Sequence, residues 1–291
     1  MMTDDIPIWT KRDYIINGYR NKKNIRECLI SIFKVHNETL NIWTHLISLI
    51  IFLYLLVKDI INYNKNYNII WGKCDINDIN DINDIIKSEN ILYYDEHILL
   101  LSYDLITITT FSISTLYHTF IPNSYNNYIM LLKLDLLTII LTICSSNYII
   151  MYYWFWCIDN YLKAYKIISY IYFSGGIILL YNLDILKKYN YIMVYFSSYN
   201  LGIIIGYIYI NYYYKGYVEN YIVYNFSHPL IFYLLGFIIY ITKIPEKLLF
   251  DYTDYIGNSH QIWHLLSSIA SYLFREEILK NTIYRNNNYL C

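Results

Sequence analysis

Two imidazoles on one helix face can present two nitrogens to a single metal ion, and the run Asn258-Ser259-His260-Gln261-Ile262-Trp263-His264 spaces His260 and His264 that way, at i and i+4. Taken alone, such a pair also reads as a polar contact between packed helices. Two other stretches change the balance. His118 ends an apolar run, with Ser114 one turn back on the same face, and Asp135 lies about two turns into the next run. A carboxylate at that depth in an apolar helix is costly unless it faces the interior and finds a partner. Three neutral imidazoles with one open position make a catalytic rather than a structural zinc site, in which bound water is acidified to a pKa of about 7. In that chemistry Asp135 orients the water or takes its proton. Ser114 either hydrogen-bonds a ligand or the substrate carbonyl, or bonds its own helix backbone.

These residues need elements that carry them to one depth. Hydrophobic residues make up 56% of the 291 positions and charged ones 15%, and apolar stretches about as long as a bilayer is thick recur along the chain. The expected fold is an all-α integral membrane bundle of seven spans, at 44–57, 97–120, 128–155, 166–183, 191–214, 224–242 and 259–274. A segment 1–43 with an interfacial helix precedes the membrane domain 44–275, and a tail 276–291 follows it. Spans alternate in direction, so the end of the second and the starts of the third and seventh fall on one side. His118, Asp135, His260 and His264 therefore share a leaflet, although their positions in the sequence are independent.

The remaining polar features suggest plainer roles. A low-complexity loop is expected over 58–95, where Asp-Ile-Asn repeats from Asp75 to Asn83; no glycine there supplies the tight turn of a calcium loop. Asp104, four turns before His118, is expected near the opposite interface, reaching headgroups. His36, His45 and Trp43 flank the start of the first span, where interfacial anchoring is the default. His228 stands before Pro229 at the far end of the sixth span, and His97 at the far end of the second. The 38 tyrosines share A/T-rich codons with the abundant Ile, Asn and Lys, and carry no function in this reading. Cys28, Cys74, Cys144, Cys157 and Cys291 contain no Cys-x-x-Cys pair, which argues against a disulfide framework and a thiolate zinc site. A net charge of -1 leaves no footprint for nucleic acid. No basic start followed by an apolar run marks a cleaved signal peptide. The seventh span has no lysine to form a retinal Schiff base.

Several of these runs together resemble the progestin and adipoQ receptor family, which includes the adiponectin receptors and is related to haemolysin III proteins. They are Gly18-Tyr19-Arg20 through Ser31-Ile32-Phe33-Lys34-Val35-His36-Asn37-Glu38-Thr39-Leu40-Asn41-Ile42-Trp43-Thr44-His45-Leu46, then Ser114-x-x-x-His118, Leu134-Asp135, Ile244-Pro245-Glu246-Lys247 and Ser259-His260-Gln261-Ile262-Trp263-His264, in family order. The resemblance implies seven helices with a cytosolic N-terminus, zinc on His118, His260 and His264, and a water near Asp135. Family members have been linked to ceramide hydrolysis and some to hormone signalling. The low-complexity first loop departs from the family pattern, as does the absence here of a sizeable N-terminal regulatory region, so a protein hormone is not the expected ligand.

The expected function is a zinc-dependent intramembrane hydrolase of a lipid amide such as ceramide, in the plasma membrane or an internal one, with membrane lipids as its partners. The alternative is a non-enzymatic receptor or membrane-homeostasis sensor in which zinc only ties helices together. Lysines and arginines divide almost evenly between the two sets of loops, but the N-terminal segment is locally basic and the first loop acidic, which favours a cytosolic N-terminus. For protein at the cell surface, a tag before Asp13 is expected to react with antibody only after permeabilisation, and a tag after Cys291 without it. The opposite labelling would reverse the orientation.

Overall fold

The computed structural model describes residues 6–73, 94–155, 159–182, 189–213 and 220–288. A short 3-10 turn, Ile8–Thr10, precedes α1 (Ile25–Ser31), α2 (Thr39–Lys73), α3 (Tyr94–Phe120), α4 (Tyr125–Trp154), α5 (Asp159–Asn182), α6 (Tyr189–Tyr213), α7 (Asn220–Thr242) and α8 (Ser259–Asn288). No strand occurs among the described residues. Among the described residues, six helices contain segments long and apolar enough to cross a membrane: Thr39–Asn62, Glu96–Phe120, Tyr125–Trp154, Asn160–Asn182, Tyr191–Tyr209 and Ile222–Thr242. A span must satisfy its own backbone hydrogen bonds, and a helix does so within one segment. The long helix outside this set is α8, which carries Arg275, Glu276, Glu277, Lys280 and Arg285.

The chain divides into two compact units. The first comprises Met1–Ile50, Ile108–Ile140 and His228–Tyr272. Here the N-terminal segment is tied to helix ends. The Arg20 guanidinium donates to the carbonyls of His118 (2.5 Å) and Thr119 (3.0 Å) at the end of α3, and to Ser31 Oγ (2.9 Å). Carbonyls in a last helical turn have no partner within the helix and attract a cation. Asp254 fixes the same segment by accepting from the backbone of Ile16 (3.0 Å) and Asn17 (2.8 Å). Gly18 adopts φ 81, and a Cβ there would lie 2.9 Å from Tyr255, so conformation and space both call for glycine. At the start of α8, Glu246 accepts from the Ser259 backbone at 2.6 Å and also from the Ser259 hydroxyl, an acidic cap on a helix N-terminus. Against this helix α7 packs at Gly236, where an added Cβ would stand 3.0 Å from the Trp263 ring.

The second unit, Ile51–Thr107, Leu141–Ser227 and Leu273–Cys291, has a charged interior. Arg275 meets Asp104 at 3.1 Å and also pairs with Asp59, and Arg285 pairs with Glu96. Asn225 Nδ2 donates to Asn281 Oδ1 at 2.8 Å. Tyrosines join α5 to α6: Tyr172 stacks on Tyr195 and Tyr199 with ring centroids 4.3 and 4.1 Å apart.

Three expectations from sequence need correcting. Asp104 is fully buried and ion-paired rather than reaching headgroups. The residues after 275 are not a tail but a continuation of α8 to Asn288, because Arg275, Ile278, Asn281, Thr282 and Arg285 recur at helical spacing and are all buried. The first span likewise continues as helix to Lys73, through the beginning of the expected loop. The Asp-Ile-Asn repeat lies outside the described residues.

Removing one partner of a buried ion pair strands the other charge. Arg275→Met, which leaves Asp59 and Asp104 without their shared cation, is expected to destabilise the protein by about 3–5 kcal/mol. Thermal unfolding in detergent reads this directly, and an unchanged midpoint would mean that the pair contributes nothing.

Candidate metal centre

His118 stands in the last turn of α3, and His260 and His264 in the first two turns of α8. One ring nitrogen from each lies within 4.8 Å of the other two, and His118 and His264 are buried. All three belong to the first unit. Nε2 of His118 and Nε2 of His260 are 3.3 Å apart. That separation suits an N–H···N bond, and it also matches two imidazoles on one tetrahedral ion, whose nitrogens at about 2.05 Å from the metal stand about 3.3 Å apart.

The other ring nitrogens fix the tautomers of His118 and His264. His118 Nδ1 contacts Glu38 Oε2 at 2.8 Å, and His264 Nδ1 contacts the Asn41 carbonyl at 3.2 Å. A carbonyl only accepts, so His264 carries its proton on Nδ1 and keeps a lone pair on Nε2. Arg12 grips the Glu38 carboxylate twice, Nε to Oε1 at 2.9 Å and Nη2 to Oε2 at 3.2 Å, and Asn41 Nδ2 donates to Oε2 at 2.6 Å. Burial alone would raise the pKa of Glu38, but Arg12 first and the His118 hydrogen bond next hold it well below the usual carboxylate range. Glu38 is thus an anion, and His118 donates to it from Nδ1, which leaves Nε2 free as a ligand. The donor set fits a divalent metal bound by neutral imidazoles.

Ser114 and Asp135 form a separate pair joined by a side-chain hydrogen bond, with Ser114 buried and Asp135 partly so. Asp135 is not part of the three-histidine group. His45 is not an interfacial anchor: it is buried and stacks on His264 with ring centroids 3.8 Å apart, because it lies one turn after Asn41 on the same face of α2. Nor is His36, whose Nε2 bonds the Ser31 carbonyl at 3.0 Å while its Nδ1 accepts from the Glu38 backbone. Burial first, then Arg20, pushes the His36 pKa down to about 4, so the ring is neutral and this turn holds Glu38 in place. Trp43 donates to the Ile32 carbonyl at 3.0 Å. His228 is half-buried and His97 buried, and neither joins the metal-capable group.

Glu38, Asn41, Arg12 and Arg20 were not read from the sequence as site residues. A signal was present for two of them: Glu38, Asn41 and His45 recur at i, i+3 and i+7 at the start of an apolar helix. Arg12 and Arg20 lie in irregular chain, where no periodicity assigns a face.

Membrane-crossing helices with a buried, metal-capable cluster of three histidines define an integral multi-pass membrane protein. The family model described as Haemolysin-III related matches residues 33–274, and the chain belongs to that family. It is 26% identical over 275 residues to Heptahelical transmembrane protein 1 of Arabidopsis thaliana, covering 92% of this chain and 77% of that one. It is 25% identical to ADIPOR-like receptor IZH1 of Eremothecium gossypii, covering 90% and 78%. Over 54 residues, 19% of this chain and 17% of the other, it is 37% identical to human Progestin and adipoQ receptor family member 3.

Each imidazole removes one ligand when replaced. His118→Ala, His260→Ala and His264→Ala are each expected to lower the metal content of purified protein from about one ion per chain, while His228→Ala retains it. Full occupancy in all three variants, measured by elemental analysis, would dismiss the site.

Proposed function

We propose that this protein is a zinc-dependent intramembrane hydrolase of a lipid amide, ceramide-like in class. The observation that carries this reading is the convergence of His118, His260 and His264, with Nδ1 of His118 and of His264 already engaged. When bound, zinc supplies a water of pKa about 7 and polarises the amide carbonyl. His118, His260 and His264 would hold it and leave one position open. Asp135 would take the proton from the water and pass it to the amine as the C–N bond breaks, giving a fatty acid and a long-chain amine. Ser114, bonded to Asp135, would keep that carboxylate oriented. With the N-terminus cytosolic, the site would lie in the inner leaflet and take its substrate laterally from lipid.

Two of these relatives, the Eremothecium gossypii and the human protein, carry the word receptor in their names, and this favours a second reading. In it the protein is a non-enzymatic receptor or membrane sensor, and the metal ties α3 to α8. Turnover of a lipid-amide panel with and without chelator separates the two readings.

Asp135→Asn keeps a hydrogen-bonding group but cannot take a proton. Near-normal zinc content and expression are expected, with turnover reduced by about 10²–10⁴-fold. Undiminished hydrolysis in this variant would remove Asp135 from the mechanism, and no zinc-dependent hydrolysis in the parent protein would favour the receptor reading.

A further inference from the structure

Two of the metal-capable histidines, His118 and His264, meet groups outside the cluster through their Nδ1 atoms. His118 is buried at the end of α3, and its Nδ1 meets Glu38 Oε2 at 2.8 Å. Glu38 comes from the chain just before α2, and the contact spans 80 residues of sequence. Its carboxylate is almost wholly buried, and its oxygens are met by Arg12 (2.9 and 3.2 Å), Asn41 Nδ2 (2.6 Å) and His118. Three of these contacts, two from the guanidinium and one from the amide, come from groups that can only donate. The carboxylate is therefore an acceptor throughout, and the His118 proton sits on Nδ1. An imidazole can rotate about its side-chain bonds and present either nitrogen, and an anion behind Nδ1 removes that freedom.

One helical turn reaches two of the three ligands. Asn41 donates its amide to Glu38, while its backbone carbonyl takes Nδ1 of His264 at 3.2 Å. A carboxylate behind a ligating imidazole fixes the tautomer and raises the basicity of the opposite nitrogen.

We propose that Glu38 is a positioning residue of the metal site, holding His118 with Nε2 toward the ion, and that Arg12 and Asn41 keep its carboxylate in place. This rests on the reading of His118, His260 and His264 as metal ligands but not on hydrolase activity. The role of Arg12 follows from its two contacts: without it, a buried anion would have only neutral donors and His118 to stabilise it.

The test is the zinc dissociation constant of purified full-length protein, measured by competition with a chromophoric chelator. Glu38→Met, which removes the acceptor, is expected to weaken zinc binding by about 10–100-fold. Glu38→Gln, which keeps an acceptor without the charge, should fall between Glu38→Met and the parent. That graded rescue is not what loosened packing alone produces. Asp254→Asn is the matched control, since Asp254 is also buried in the first unit but bonds backbone amides rather than an imidazole. It should bind zinc within a few-fold of the parent. If Glu38→Met does not fold, Glu38→Gln decides. Parental affinity in the Glu38 variants, or an equal loss in Asp254→Asn, would overturn the proposal. Parental zinc that survives His118→Ala would instead overturn the ligand assignment beneath it.

Discussion

A carboxylate removed from water persists as an anion only while donors surround it, and the arrangement around Glu38 meets that condition fully. Arg12 supplies the opposite charge, Asn41 a neutral donor, and His118 the third partner. Each arrives from a different part of the chain: the N-terminal segment, the first turn of α2 and the last turn of α3. The requirement to satisfy one buried charge thereby fixes three elements relative to each other within the first unit. The orientation of His118 follows from it, and the neighbouring turn orients His264 through Asn41.

The same unit shows why an irregular N-terminal segment belongs to a membrane site. Helix ends leave carbonyls and amides without partners, and such groups are costly where water is scarce. Arg20 meets the carbonyls that end α3, and Glu246 the amide and hydroxyl that begin α8. The ends thus capped are those that carry His118 and His260. Satisfying the backbone and placing the metal-capable histidines are one structural task here.

The second unit satisfies its own buried charges separately. Arg275 between Asp59 and Asp104, and Arg285 on Glu96, give the later turns of α8 a polar face that packs inward. This explains why hydropathy sets α8 apart from the other long helices: its buried side is the charged one.

The sequence by itself determined the class of fold and the set of imidazoles that could hold a metal ion. Runs of apolar residues at membrane length leave helices as the solution for the backbone, and the i, i+4 spacing of His260 and His264 places both on one face whatever surrounds them. Alternation of span direction was enough to expect His118 near them, and the three rings do lie together. These are local or one-dimensional properties, legible because helical periodicity and chain direction are set by covalent geometry. Only the tertiary structure decided which groups stand behind those imidazoles. Arg12 and Arg20 lie in irregular chain, and His45 and Asp104 could face lipid or interior according to how their helices rotate. The helical course of residues 276–288 depends on partners in distant segments. Pairing across elements depends on rotation, register and the folding-back of loops, and the electrostatic cost of burying a charge selects among those arrangements only after the chain has come together.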